Sequence, residues 1–235
     1  MSDLTAAIEN LYRVFGRVER PTSMLTCPCC VDETEAQRLL GTPLREISAA
    51  QMTPYAEVVF LTVGGPNDFR YLLPRILEIA VHDDSWWPSP EITLRALTLA
   101  DWQTWDRNEQ QAVINVIEAW YALALTWRAK HNREGDGTVY YGWDGDALLC
   151  GIARASLSIV PYLDRLRAPQ FRDQLAGLFM WHYDEEQRAL KRPDNFWDEA
   201  PEKQRDILYK FLDSREVRSS VAKSVPNVEI YPLSP

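Results

Sequence analysis

Residues 108–131 read NEQQAVINVIEAWYALALTWRAKH and contain the most apolar stretch of the chain. The apolar positions that recur every three or four residues are Val113, Ile117, Trp120, Ala124 and Trp127, with Ile114, Tyr121 and Leu125 beside them. This spacing predicts a helix, and the apolar surface extends nearly all round it. A helix of that kind is usually the buried centre of a bundle. We therefore predict a long central helix from about Asn108 to His131.

Helical patterns also dominate on both sides of this stretch. The predicted helices cover residues 4–18, 33–40, 67–81, 144–152, 159–166, 169–183 and 201–212. Proline stands where a first helical residue is expected at Pro43, Pro54, Pro90, Pro169 and Pro201. Proline is favoured there because its missing N–H has no helical partner in any case. These positions have no fixed period, so a regular repeat array is not indicated.

The fold predicted from these patterns is all-α. We expect a multi-helix bundle or an irregular α-solenoid of about 8 to 10 helices, many of them started by proline. No linker composition interrupts the chain, so residues 1–235 are predicted to form a single domain. Residues 224–235 are expected to form an extended C-terminal tail.

Two segments give conflicting signals. Residues 55–63 follow a helix-start pattern, but they are rich in β-branched residues, so helix and strand both remain open, with helix preferred. Pro74 falls inside the helical pattern of residues 67–81. A proline there leaves the carbonyl of Arg70 without its usual partner, which predicts a kink or a break.

Composition and charge exclude several classes of protein. The chain has 235 residues, of which 46% are hydrophobic and 25% charged. It is therefore too apolar for a disordered protein. The net charge of −9 argues against direct nucleic-acid binding, which usually needs a basic face. Residues 1–100 carry −5 and residues 101–235 carry −4, so the charge looks evenly spread.

Compartment and membrane signals point to the cytoplasm. The N-terminus shows no basic segment followed by an apolar one, so we expect no secretory leader. The charge-free stretch of residues 119–127 is far shorter than the ~20 residues of a membrane helix. The four cysteines do not form a secreted disulfide framework. We predict a cytoplasmic protein without a membrane partner.

The cysteine cluster Cys27-Pro28-Cys29-Cys30 lies in a predicted loop, residues 19–31. Thiolates are good zinc ligands. The tetrapeptide resembles the first half of small zinc-ribbon proteins that begin with a Cys-Pro-Cys-Cys run. That resemblance implies a zinc site completed by a second cysteine pair, whereas the one other cysteine here is Cys150. His82, His131 or His182 could complete a site instead, but no spacing requires it.

The cysteines can also pack as small hydrophobic residues, and this is the interpretation that we prefer. We accordingly predict no cofactor and less than one metal ion per chain. A zinc-dependent or thiol-dependent protein or enzyme built around Cys27, Cys29 and Cys30 is the alternative.

Signatures of catalysis are missing from the sequence. It contains no phosphate-binding loop, dinucleotide fingerprint, nucleophile elbow or His-Glu-x-x-His motif. His182 lies on an apolar stripe, which suits a hydrogen-bonded core residue. Asp144-Gly145-Asp146 is too short for a calcium loop. We predict that the chain is not an enzyme.

Aromatic residues flanked by acids suggest a binding surface instead. The residues predicted to contact a partner are Asp83, Asp84, Trp86, Trp87, Tyr140, Tyr141, Trp143, Asp144 and Asp146. Tryptophan anchors ringed by carboxylates suit a basic protein partner. The predicted function is therefore binding, in the form of an immunity or antitoxin-type inhibitor of a basic enzyme. A helical scaffold subunit is a further alternative.

Overall fold

The computed structural model describes residues 3–133, 139–184, 186–192 and 195–224. Within 131–133 and 139–141 it describes the backbone alone. These ranges contain eleven α-helices and two short antiparallel hairpins, so the all-α prediction is confirmed. None of the helices in them is both long and apolar enough to cross a bilayer.

The chain divides into two compact units, Met1–Trp120 (unit 1) and Tyr121–Pro235 (unit 2). The boundary falls inside the apolar helix that contains Trp120, so no linker segment marks it in the sequence. The single domain expected for residues 1–235 stays a prediction.

Unit 1 contains five complete α-helices and the first part of a sixth. Their bounds are α1 Asp3–Phe15, α2 Glu33–Gly41, α3 Ala49–Val58, α4 Pro66–His82, α5 Pro90–Leu99 and α6 Arg107–Ala124. Short 3₁₀ turns cover residues 44–46 and 102–104. The largest side chains fully buried in this unit include those of Tyr55, Phe69, Trp102 and Trp120.

Local sequence signals explain where several of these helices begin. Asp32 accepts from the backbone N–H of Glu35, and the Glu35 side chain accepts from the backbone N–H of Asp32. This reciprocal capping box satisfies two donors at the start of α2. Pro90 is the first residue of α5, as predicted. Pro54, in contrast, lies inside α3, whose capping box is formed by Ser48 and Gln51.

The two ambiguous segments resolve differently. Residues 55–63 begin as the end of α3, but the helix stops at Val58 and a turn closed by a Val59–Val63 bridge follows. Phe60 at the tip of this turn has a positive φ of 65°. The expectation at Pro74 is a kink or a break, and α4 continues through that residue to His82, so the chain does not break there; the kink stays a prediction.

Unit 2 contains the end of α6, five further α-helices and both hairpins. Their bounds are β1 Lys130–Arg133, β2 Val139–Gly142, α7 Gly145–Arg154, α8 Val160–Leu166, α9 Arg172–Trp181, β3 Tyr183–Asp184, β4 Ala189–Leu190, α10 Glu202–Asp213 and α11 Arg215–Ala222. Short 3₁₀ turns cover residues 169–171 and 195–199. Apart from Ser224, the predicted tail at 224–235 lies outside the described residues.

The predicted end of the long helix at His131 is wrong. Helix α6 ends at Ala124, and His131 lies in β1, opposite Tyr141 of β2. Side chains from elsewhere in unit 2 satisfy carbonyls at this end. Trp143 Nε1 donates to Ala124 O at 3.1 Å, and Gln174 Nε2 lies 3.1 Å from Leu125 O and 2.8 Å from Trp127 O. The last carbonyls of a helix need such partners, so α6 can stop there.

Candidate functional site

The loop after α4 holds Asp83, Asp84, Trp86 and Trp87, four of the predicted partner-binding residues. The two neighbouring tryptophans differ in exposure. Trp86 is only 8% exposed, whereas Trp87 is 45% exposed. Asp84 is exposed and Asp83 half-buried. Trp86 therefore lies beneath this loop rather than on its surface, which differs from the surface position expected from the sequence.

The hydroxyl group of Thr53 in α3 contacts this loop at two points. This hydroxyl accepts from Trp86 Nε1 at 2.8 Å and lies 3.0 Å from the carbonyl oxygen of Trp87. A further hydrogen bond comes from α5, where Thr93 Oγ1 donates to Pro88 O at 3.1 Å. Asp83 Oδ1 accepts from the backbone and the hydroxyl of Ser85. The backbone around Trp87 is thus held at several points while its side chain faces solvent.

The other predicted partner residues belong to unit 2. Trp143 is 2% exposed, and its indole N–H donates to Ala124 O. The solvent-exposed position expected for a binding residue is therefore wrong for Trp143. Its ring fits because a Cβ at Gly145 would come within 2.2 Å of it, and Gly177 also lies close. Trp143 therefore stabilises the end of α6 from inside unit 2.

Asp144 and Asp146 have different surroundings. Asp144 is exposed and forms an ion pair with Lys130, with Nζ and Oδ2 2.7 Å apart. It occupies the N-cap position of α7, but its side chain makes no capping bond. The Asp146 carboxylate is largely buried and accepts from His182 Nε2 at 2.9 Å and from Trp197 Nε1 at 3.3 Å. Asp146 thus satisfies two buried donors, and His182 is the hydrogen-bonded core residue that its apolar stripe predicted.

Asp146→Ala is expected to lower the free energy of unfolding by about 1–3 kcal/mol, because it leaves buried N–H groups of His182 and Trp197 without an acceptor. Urea titration measures this loss. The matched control is Asp144→Ala, which removes an exposed ion pair of about 0–1 kcal/mol. Equal losses for the two variants would contradict the internal role of Asp146.

The remaining predicted residues, Tyr140 and Tyr141, lie in β2, and their side chains lie outside the described part of the structure. The nine residues therefore divide into four in unit 1 and five in unit 2. Whether the two loops form one face stays a prediction.

The two units differ strongly in charge. Unit 1 holds 17 acidic and 9 basic residues, a net charge of −8, and unit 2 holds 17 and 16, a net charge of −1. The even spread inferred from the sequence depended on dividing the chain at residue 100. The charge difference is present in the sequence, but it becomes visible only when the chain is divided at the unit boundary, which lies within α6.

The three cysteines of the loop are brought together. The Sγ atoms of Cys27, Cys29 and Cys30 all lie within 4.8 Å of one another. Cys29 is exposed, and Cys27 and Cys30 are partly exposed, whereas Cys150 is buried. The prediction that the loop cysteines pack as small hydrophobic residues is therefore wrong, because their side chains reach solvent.

Hydrogen bonds within the cysteine cluster shift the pKa values of two of its thiols in opposite directions. Bonds from the Cys29 side chain and backbone, and from Cys30, hold the pKa of Cys27 below the ordinary thiol value. The bond to Cys27, followed by that to Cys30 and the charge of both neighbours, raises the pKa of Cys29 to about 11. Of these two thiols, Cys27 is therefore the one that loses its proton more readily.

Comparison of the chain with protein-family models, with curated proteins and with solved structures finds no match.

Proposed function

We propose that this chain is an acidic protein that binds a basic protein through unit 1. In its most concrete form, it is an immunity or antitoxin-type inhibitor that covers a basic enzyme such as a nucleic-acid-processing toxin. The observation that carries this proposal is the charge of unit 1, which accounts for −8 of the total of −9.

Most of the excess negative charge of unit 1 lies on its surface. Eleven of its 17 acidic residues are exposed, against six of its nine arginines. A surface with this imbalance attracts cationic proteins and raises the rate at which they meet it. Unit 2 is nearly neutral and offers no comparable attraction.

Trp87 supplies the other part of the proposed surface. Tryptophan is enriched among the residues that dominate binding energy. The backbone of its loop is already held by Thr53 and Thr93, so less freedom is lost when a partner binds. Asp84 lies exposed in the same loop. The proposed contact residues in unit 1 are therefore Asp83, Asp84 and Trp87, with Trp86 supporting them from the buried side.

A capture experiment with matched variants tests this function. Wild type, Trp87→Ala and Trp181→Ala are tagged and used to capture proteins from the source cells at low salt. Trp181 is a suitable control because it is 36% exposed and lies in unit 2. We expect a basic protein to be retained by wild type and Trp181→Ala and to be lost from Trp87→Ala. Retention by all three variants, or capture of acidic proteins alone, would refute the proposal.

With the captured protein purified, Trp87→Ala is expected to weaken binding by about 2 kcal/mol or more. The loss should appear in the dissociation rate, because the indole acts after the two proteins have met. Surface plasmon resonance measures both rates. Trp181→Ala should leave both unchanged, and a Trp87→Ala effect confined to the association rate would argue against an anchor at this position.

A further inference from the structure

The loop that carries Cys27, Cys29 and Cys30 is a compact turn. Cys27 N donates to Val31 O at 3.1 Å, and the N–H groups of Cys30 and Val31 both donate to Cys27 O, at 2.9 and 3.0 Å. Val31 is buried and directly precedes the capping box that begins α2. At the other end, Gly64 N donates to Leu25 O at 2.9 Å. The backbone of the turn is therefore anchored on both sides of the thiols.

The distances between these sulfur atoms approach those of a metal-thiolate site. Cys27 Sγ lies 3.0 Å from Cys29 Sγ, which lies 3.5 Å from Cys30 Sγ. A zinc–sulfur bond of ~2.3 Å with tetrahedral angles places ligand sulfur atoms about 3.8 Å apart. Small side-chain rotations would bring the three sulfurs to that separation. The backbone needs no rearrangement to present three ligands on one side.

The chemistry of the ligand set selects the kind of ion. Three thiolates favour a thiophilic d¹⁰ ion over magnesium or calcium, which prefer oxygen ligands. Exposed Cys29 gives an ion a path from solvent. Among the described residues, these three form the one group of cysteine, histidine or acidic side chains that converges in this way.

We propose that Cys27, Cys29 and Cys30 form a zinc-binding site with three thiolate ligands and a fourth position open to water or to another ligand. Binding converts the three thiols to thiolates, and their protons are released to solvent. No electron transfer is involved. The site shares no residue with the Trp87 loop and does not depend on the proposed protein-binding function.

Zinc titration of the reduced, metal-free full-length chain tests this proposal. In competition with a chromophoric chelator, we expect one Zn²⁺ ion per chain. Cys29→Ser is the main variant because this side chain is exposed and its replacement leaves the core intact. It should weaken zinc binding at least 100-fold. Cys150→Ala, which removes the buried cysteine outside the turn, should bind zinc like wild type.

Two further measurements separate a zinc site from other outcomes. Co²⁺ should give a sulfur-to-cobalt charge-transfer band with wild type and Cys150→Ala, which weakens in Cys29→Ser and Cys30→Ser. A chelator should lower the thermal midpoint of the zinc-loaded wild type, but not that of Cys29→Ser. Circular dichroism checks that each variant is folded. The proposal is overturned if no ion binds to the reduced chain, or if Cys29→Ser binds zinc as tightly as wild type.

Discussion

Replacing Arg70 with methionine is expected to lower the free energy of unfolding by about 3–5 kcal/mol, because it removes the closest cation from a fully buried carboxylate. The Glu109 side chain has no exposed surface, and its Oε1 lies 2.6 Å from Arg70 Nη2. The next cation, Arg17, lies 3.7 Å away and also pairs with Asp106. Asp106 itself accepts from the N–H groups at the start of α6. The variant would leave a buried negative charge without its main partner.

A double variant provides the control for this prediction. Arg70→Met with Glu109→Leu removes both charges, so no buried carboxylate is left without its partner, although the Arg70 side chain itself is 34% exposed. We expect the double variant to be more stable than Arg70→Met alone. Urea titration of wild type, both single variants and the double variant gives the coupling energy. A coupling near zero would show that the pair does not act as a unit.

The second large effect is expected from Trp120→Ala, at about 3–5 kcal/mol. Trp120 is 2% exposed and is among the largest fully buried side chains in unit 1. Its removal leaves a cavity that the surrounding residues can fill only in part. Trp87→Ala is the matched control, because the same side chain is 45% exposed there and its loss should cost less than about 1 kcal/mol. Similar shifts of the urea midpoint in the two variants would contradict the burial that separates them.

Short-range signals in the sequence predicted much of the fold. The Asp32–Glu35 capping box and the proline at the start of α5 act within one helical turn, so they can be recognised without knowing the rest of the chain. The centre of α6 was also predicted from periodicity. Its end was not, because the groups that satisfy its last carbonyls, on Trp143 and Gln174, come from 19 and 49 residues away in the chain.

Contacts between residues far apart in the sequence also determine which residues of the candidate site are exposed. Trp86 and Trp143 stand beside acidic residues in the sequence, which suggested exposed anchors. Each indole N–H instead has a partner distant in sequence, Thr53 in one case and Ala124 in the other. Trp87 has the same kind of neighbours and is the one of the three whose side chain reaches solvent. Sequence identified the type of residue, and only tertiary contacts separate the exposed member from the buried ones.

The cysteine cluster shows what spacing alone leaves open. The sequence offers three closely spaced ligands where a tetrahedral site needs four, which favours cysteines that pack as small hydrophobic residues. The turn closed by Cys27 and Val31 then brings the three sulfur atoms within 4.8 Å of one another. Backbone hydrogen bonds that form this turn have no signature in the side chains, so convergence could not be inferred from the tetrapeptide.

The dependence of the association rate on ionic strength tests the central claim, that the acidic surface of unit 1 attracts a basic partner, most directly. The measurement uses the purified partner with wild type, with Asp83→Asn/Asp84→Asn in unit 1, and with Asp164→Asn/Asp198→Asn in unit 2. Asparagine keeps the acceptor that Asp83 offers to Ser85. The control carboxylates, Asp164 and Asp198, are exposed in a unit of net charge −1.

We predict that the association rate of wild type falls steeply with added salt, and that the unit 1 variant associates more slowly and with a shallower salt dependence. The unit 2 variant should follow wild type at every ionic strength. Two results would contradict the assignment of partner binding to unit 1. One is an association rate that does not change with salt concentration, and the other is an equal reduction of the association rate in the unit 1 and unit 2 variants.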